Sequence, residues 1–205
     1  MKRYIGVFFA GSILLSTSAI AGQTGNDYNR AGQWGLGLSA GTAVPGVGLR
    51  YWFNDKFAVD AGGALSLDTG NSDTSDTHKE WAANSQLVYA FHKRDGLRLE
   101  GLFGAIYDHN RTNTQSDTNQ TSGSYIVTDN LVRTTTVGVG LAAEYSFQEL
   151  PDLGFSAFAT GIGAAFISRD NSVNNSNGTT TSALHESYVT LATKPSVGLA
   201  VHYYF

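Results

Sequence analysis

Few side chains in this 205-residue sequence could do chemistry, and their types limit what that chemistry is. With no cysteine, thiolate catalysis, disulfides and zinc–thiolate sites are excluded. The histidines are His78, His92, His109, His185 and His202. The best pairing of a base with a nucleophile is His185-x-Ser187, with Asp108–His109 expected near it on the same rim. His, Ser and a carboxylate together suit acyl transfer. The pair lies in a serine-rich stretch where such spacing arises by chance, so the sequence is read as non-enzymatic. No ligand spacing matches a metal site, and no cofactor is expected. The remaining candidates are five charges, Arg50, Asp60, Arg98, Glu100 and Glu144, and their role depends on the elements that carry them.

Those elements alternate with period two. Eight segments do so: 33–41, 46–53, 57–68, 81–92, 97–108, 136–147, 153–167 and 196–205. Segment 57–68, for example, sets Phe57, Val59, Leu65 and Leu67 against Ala58, Asp60, Gly62 and Ser66. Such alternation marks strands with two chemically different faces. In 153–167 the faces stay open, because Phe158, Ile162 and Phe166 compete with Leu153, Phe155 and Ile167. Connections are short at 54–56, 93–96 and 148–152, and a further short loop lies near 42–45. Long ones, rich in Asn, Ser, Thr, Asp and Gly, run over 69–80, 109–133 and 168–187. Such composition builds no core of its own and is expected to be mobile.

Short turns at one end and long loops at the other describe an all-β, eight-stranded antiparallel up-and-down transmembrane barrel. A secreted sandwich or lipocalin would alternate too, but three features oppose it. The less apolar faces are Gly, Ala and Ser, as a narrow lumen needs. Aromatics cluster at the turn end: Trp34, Phe53, Phe57, Phe91, Phe147, Phe155 and Phe205, with Trp81 and Tyr107 starting a sparser girdle opposite. Each segment has about 9 to 11 residues, enough for a tilted strand to cross. Charged residues are only 15%, and a net charge of −4 with 13 Lys+Arg argues against nucleic acid as a partner.

Lys2 and Arg3, an apolar run from Tyr4 to Leu15 and Ala19-Ile20-Ala21 have the layout of a secretory signal. Residues 1–21 are therefore expected to be cleaved, 22–32 to form a short periplasmic segment, and 33–205 to form the barrel. The expected location is the outer membrane of a Gram-negative-type bacterium. Pro195 is expected at the outer rim, beside Lys194.

Signal, eight strands, long outer loops and the run Val197-x-Leu199-x-Val201-x-Tyr203 ending in Phe205 resemble the small outer-membrane β-barrels. These are the OmpA transmembrane domain, OmpX and opacity-protein types. The resemblance is one of architecture across the chain, without a long motif. It implies that Val201, Tyr203 and Phe205 belong to the signal read by the barrel assembly machinery. With nothing after Phe205, no peptidoglycan-binding domain is expected.

If Phe53 pairs with Phe57 across the 54–56 turn, Arg50 lies opposite Asp60, both inward. Glu100 and Glu144 then share roughly that level, and Arg98 lies just below. Charges in a narrow lumen must pair, because an unpaired one costs several kcal/mol. The expected function is a surface protein with a closed or very narrow lumen. Its outer loops present a binding or adhesion surface to lipopolysaccharide or an extracellular partner. The alternatives are a small porin-like channel or, less favoured, a membrane lipid hydrolase using His185 and Ser187.

Overall fold

The computed structural model describes residues 29–41, 46–69, 77–119, 124–175, 180–192 and 196–205. Residues 1–21, expected from sequence to be a cleaved signal, residues 22–28, and Lys194 and Pro195 lie outside them. Nine antiparallel strands follow in chain order: β1 (Trp34–Gly41), β2 (Gly46–Trp52), β3 (Phe57–Thr69), β4 (Thr77–Arg94), β5 (Leu97–Asn119), β6 (Ser124–Phe147), β7 (Leu150–Asn175), β8 (Thr180–Ala192) and β9 (Ser196–Tyr204). Neighbours in sequence pair from β1 to β7; β7 then pairs with β9, and β9 with β1, closing a ring of eight. The ninth strand, β8, pairs with β7 above the stretch that β9 uses. Together β8 and β9 take the place of a single eighth stave.

The tight turns follow from local chemistry. Asn54 Oδ1 accepts hydrogen bonds from the amides of Lys56 (2.8 Å) and Phe57 (2.9 Å), closing the β2–β3 turn. Asp95 and Gly96 both have positive φ (51° and 82°), as a two-residue hairpin turn of matching twist requires. Outward positions carry large apolar side chains, with Leu65 69% and Leu199 66% exposed. Only hydrocarbon accommodates a belt of that kind around a barrel. The aromatics Trp34, Phe53, Phe57, Phe91, Phe147, Phe155 and Phe205 all face outward at the turn end.

Two bulges account for what periodicity left open. β7 carries an extra residue, Gly161, between the pairs Gly140–Thr160 and Val139–Ile162. Below it Phe155 faces out and Phe158 packs in the lumen; above it Ile162 and Phe166 face out. One inserted residue exchanges the faces. In β4 the bulge at Phe91 pairs Ala90 with Glu100 but His92 with Leu99. His92, which unbroken alternation over 81–92 would place inward, is thereby turned to the exposed outer face.

The long loops are largely strand. Residues 77–80, 109–119, 124–133, 168–175 and 180–187 continue β4 to β8. The β5–β6 register runs without a slip from Leu97–Tyr145 to Asp117–Tyr125. Thr and Val are frequent there, at Thr112, Val127, Val132 and Thr134 to Thr136, and β-branched residues suit a pleated surface. β5 has 23 residues, roughly 75 Å at about 3.3 Å each, against the 9 to 11 or so that cross. β1 and β2 have only 8 and 7. The wall is low on the β1–β2 side and stands tall as a sheet of β4 to β8.

Candidate functional site

Arg50 sits at the centre of the lumen, near the turn end, and is 3% exposed. Across the β2–β3 ladder it faces Asp60. Its Nε and Nη2 donate to the two Asp60 oxygens, each at 2.7 Å, a bidentate fork. Its Nη1 reaches across the barrel to Glu144 (3.1 Å) and Glu100 (3.3 Å). Gln86 Nε2 donates to Asp60 (2.9 Å), while Tyr204 Oη (2.6 Å) and Ser156 Oγ (3.3 Å) donate to Glu144. Arg98 lies over the Trp52 ring at 4.2 Å, 4.0 Å from Glu144. His202 Nδ1 lies 3.6 Å from the same carboxylate. The structure thus brings all five of the charges singled out by sequence into one layer.

A sixth charge completes it. Arg30 precedes β1, in the stretch read from sequence as periplasmic, yet it is 2% exposed. Its guanidinium stacks 3.5 Å above the Tyr204 ring, donates to Ser146 Oγ (2.6 Å) and lies 3.5 Å from Glu144. The segment is held in the mouth by backbone bonds, Gly32 N to Trp52 O (2.8 Å) and Trp52 N to Gln33 O (3.1 Å). Three guanidinium groups thus balance three carboxylates. Small residues make the room: a Cβ on Gly154 would stand 2.7 Å from Glu144 Cδ, and one on Gly35 2.8 Å from the Tyr204 ring.

Above this layer is a cavity of about 330 Å³, lined by Ser39, Asn84, Gln86, Asp108, Thr136 and Thr160 among others. Asn84, Gln86 and Asp108 give it hydrogen-bonding groups that can hold water. Asp108 therefore lies on the lumen side and does not join His185 and Ser187. Those two are on β8, opposite Asp170 and Ser168 of β7. Among the described residues no group of His, Asp and Glu is arranged to hold a metal. At the seam, Trp34 and Phe205 exchange backbone bonds of 2.9 and 3.1 Å, and Val201 and Phe205 are turned outward, away from the ion layer.

Sequence pattern missed Arg30 because it stands outside any alternating segment. It missed the role of Tyr204 because an inward tyrosine looks like any other lumen filler until its partner is known.

No protein-family model matches the chain, and no curated protein matches it. Among solved structures it is similar to a major outer membrane protein from Thermus thermophilus. The TM-score is 0.50 and the identity 14%, over 84% of this chain and 98% of the other. At that identity the likeness is one of fold, an antiparallel barrel.

Proposed function

We infer that this chain is an outer-membrane barrel whose lumen is sealed and whose working surface is the tall outer sheet. The ion layer carries that reading. Arg50 links carboxylates from β3, β5 and β6, so it spans the bore, and Arg30 covers the mouth beneath it. The fold likeness to an outer membrane protein and the apolar outer belt support the location. On the tall sheet, charged and polar side chains of β5 to β8 face water and are held by backbone pairing. Such a surface suits contact with lipopolysaccharide, a phage or another cell. Export through residues 1–21 and recognition of Val201, Tyr203 and Phe205 by the assembly machinery belong to the same reading.

The test is conductance and truncation together. In planar bilayers the intact chain is expected to be silent; a steady nanosiemens-scale pore would overturn the reading in favour of a channel. Replacing residues 113–129 and 172–182 with tight turns should leave insertion intact and abolish surface adhesion or phage sensitivity. Deleting Phe205 should lower the inserted fraction; unchanged surface display would sink the assembly role.

A further inference from the structure

The outer face of the tall sheet carries a hydrogen-bonded Asp–His–Ser relay that goes beyond the surface-contact reading. Asp170 on β7 and His185 on β8 are directly opposed, and Asp170 Oδ1 lies 2.5 Å from His185 Nδ1. An ionised carboxylate can only accept, so Nδ1 carries the proton, and in the neutral imidazole Nε2 is left as the acceptor. Ser187 Oγ lies 3.3 Å from that Nε2, within reach of donating to the neutral ring. The order carboxylate, imidazole, hydroxyl is that of an activated serine nucleophile. The sequence offered Asp108 as the acid for His185 and Ser187, but the acid that meets them is Asp170. Asp170 is fifteen residues away along the chain and becomes their neighbour only because β7 and β8 form a hairpin.

The position of the relay points to its substrate. Along β8 the same face continues from Ser187 to Val189 (63% exposed) and Leu191 (68%), paired with Phe166 and Ala164 of the outer belt. Across the sheet, the cross-strand row of Ser187 runs through Ser168, Arg133 and His109 to Trp81, where the upper aromatic girdle begins. The row above holds Lys79, Arg111, Leu131, Asp170 and His185. The relay therefore straddles the boundary between apolar belt and cationic rim. A membrane lipid sets its acyl esters at that boundary, between buried chains and an anionic headgroup. On the headgroup side Arg133 lies 3.3 Å from Asp170 and Arg111 is paired with Asp129, and with the exposed Lys79 these three cations outnumber the two carboxylates. The far edge of β8 pairs with no described strand, so alternate backbone N–H groups beside Ser187 point away from β7. These can receive the developing oxyanion.

We propose that Asp170, His185 and Ser187 form an esterase site acting on acyl esters of anionic lipids in the outer leaflet. Ser187 Oγ bonds to the ester carbonyl carbon as its proton passes to His185 Nε2. The carbon–alkoxy bond breaks, and the leaving alkoxide takes that proton. Water then attacks the acyl-serine, with His185 again taking and returning a proton, and a fatty acid leaves. The net change is ester plus water to alcohol plus acid. Asp170 is a positioning residue that holds the imidazole tautomer.

The full chain, folded in vesicles and checked by heat-dependent gel mobility, is treated with an alkyl fluorophosphonate and analysed by mass spectrometry. An adduct on Ser187 is expected, absent in Ser187→Ala and formed about 100-fold or more slowly in His185→Ala. Asp170→Asn should slow labelling while leaving the barrel folded. Fatty-acid release is measured in parallel from phosphatidylglycerol vesicles and from vesicles containing lipopolysaccharide; release from one of them identifies the lipid. Folded protein that forms no adduct and releases no acid from either overturns the proposal. Release that persists undiminished in Ser187→Ala overturns it equally.

Discussion

Two arginine–aspartate forks with nearly the same geometry stand at opposite ends of this molecule. Arg50 grips Asp60 with two bonds of 2.7 Å in the lumen, and Arg111 grips Asp129 with bonds of 3.0 and 2.5 Å on the outer sheet. The difference is solvent. Around Arg50 water has been replaced by other charges, so each member of the layer depends on the rest. Around Arg111 water can replace any partner that is lost. The hydrogen bond with Asp129 raises the Arg111 pKa, but the group stays ionised in either state and gains nothing structural from that. Identical contacts therefore hold the barrel in one place and only decorate it in the other.

Arg50→Ala should widen that contrast most. It leaves Asp60, Glu100 and Glu144 buried around a missing cation, and is expected to lower unfolding stability by about 3–5 kcal/mol in urea titrations of bilayer-folded protein. Adding Asp60→Ala should recover part of the loss, because one orphaned carboxylate is removed with it. Strict additivity in that double-mutant cycle would show that the two groups do not interact.

Gly154→Val probes the same layer through space rather than charge. Its Cβ meets Glu144, and about 1–3 kcal/mol should be lost; an unchanged midpoint would mean that the layer is loosely packed. Arg30→Ala is expected to cost about 1–3 kcal/mol, less than Arg50→Ala, because its segment belongs to no strand and can withdraw from the mouth. Equal losses for Arg30 and Arg50 would place the centre of the layer lower than described. Smallest of all, Arg111→Ala should change stability by less than about 1 kcal/mol. That remainder should shrink further at roughly 1 M salt, where the Debye length falls to about 3 Å.

The same solvent contrast explains what was legible in the sequence. Where one face meets lipid and the other the lumen, alternation is strong, and all eight spanning segments are visible. The opposition of Arg50 and Asp60 follows from counting across a three-residue turn. Beyond the membrane both faces of β5 to β8 meet water, so side chains need not alternate and the strands read as polar loops. Their pairing rests on backbone bonds, and its mark on residue type is only a scatter of β-branched Thr and Val. The bulges at Phe91 and Gly161 are invisible for a related reason. A single extra residue shifts the phase without changing the composition, so alternation carried past Phe91 puts His92 on the wrong face, and the faces of β7 stayed open. Arg30 and Asp170 were missed because each meets its partners only through long-range closure of the chain.

The unslipped β5–β6 register has a consequence for how such a sheet can change over generations. Adding one residue to each arm keeps every β5–β6 backbone pair but swaps which side chains look outward. Adding two to each arm restores the original faces and lifts the tip by one full pleat. The hairpin therefore behaves as a telescoping mast, adjustable in discrete steps of four residues, while the ion-filled footing below never registers the change.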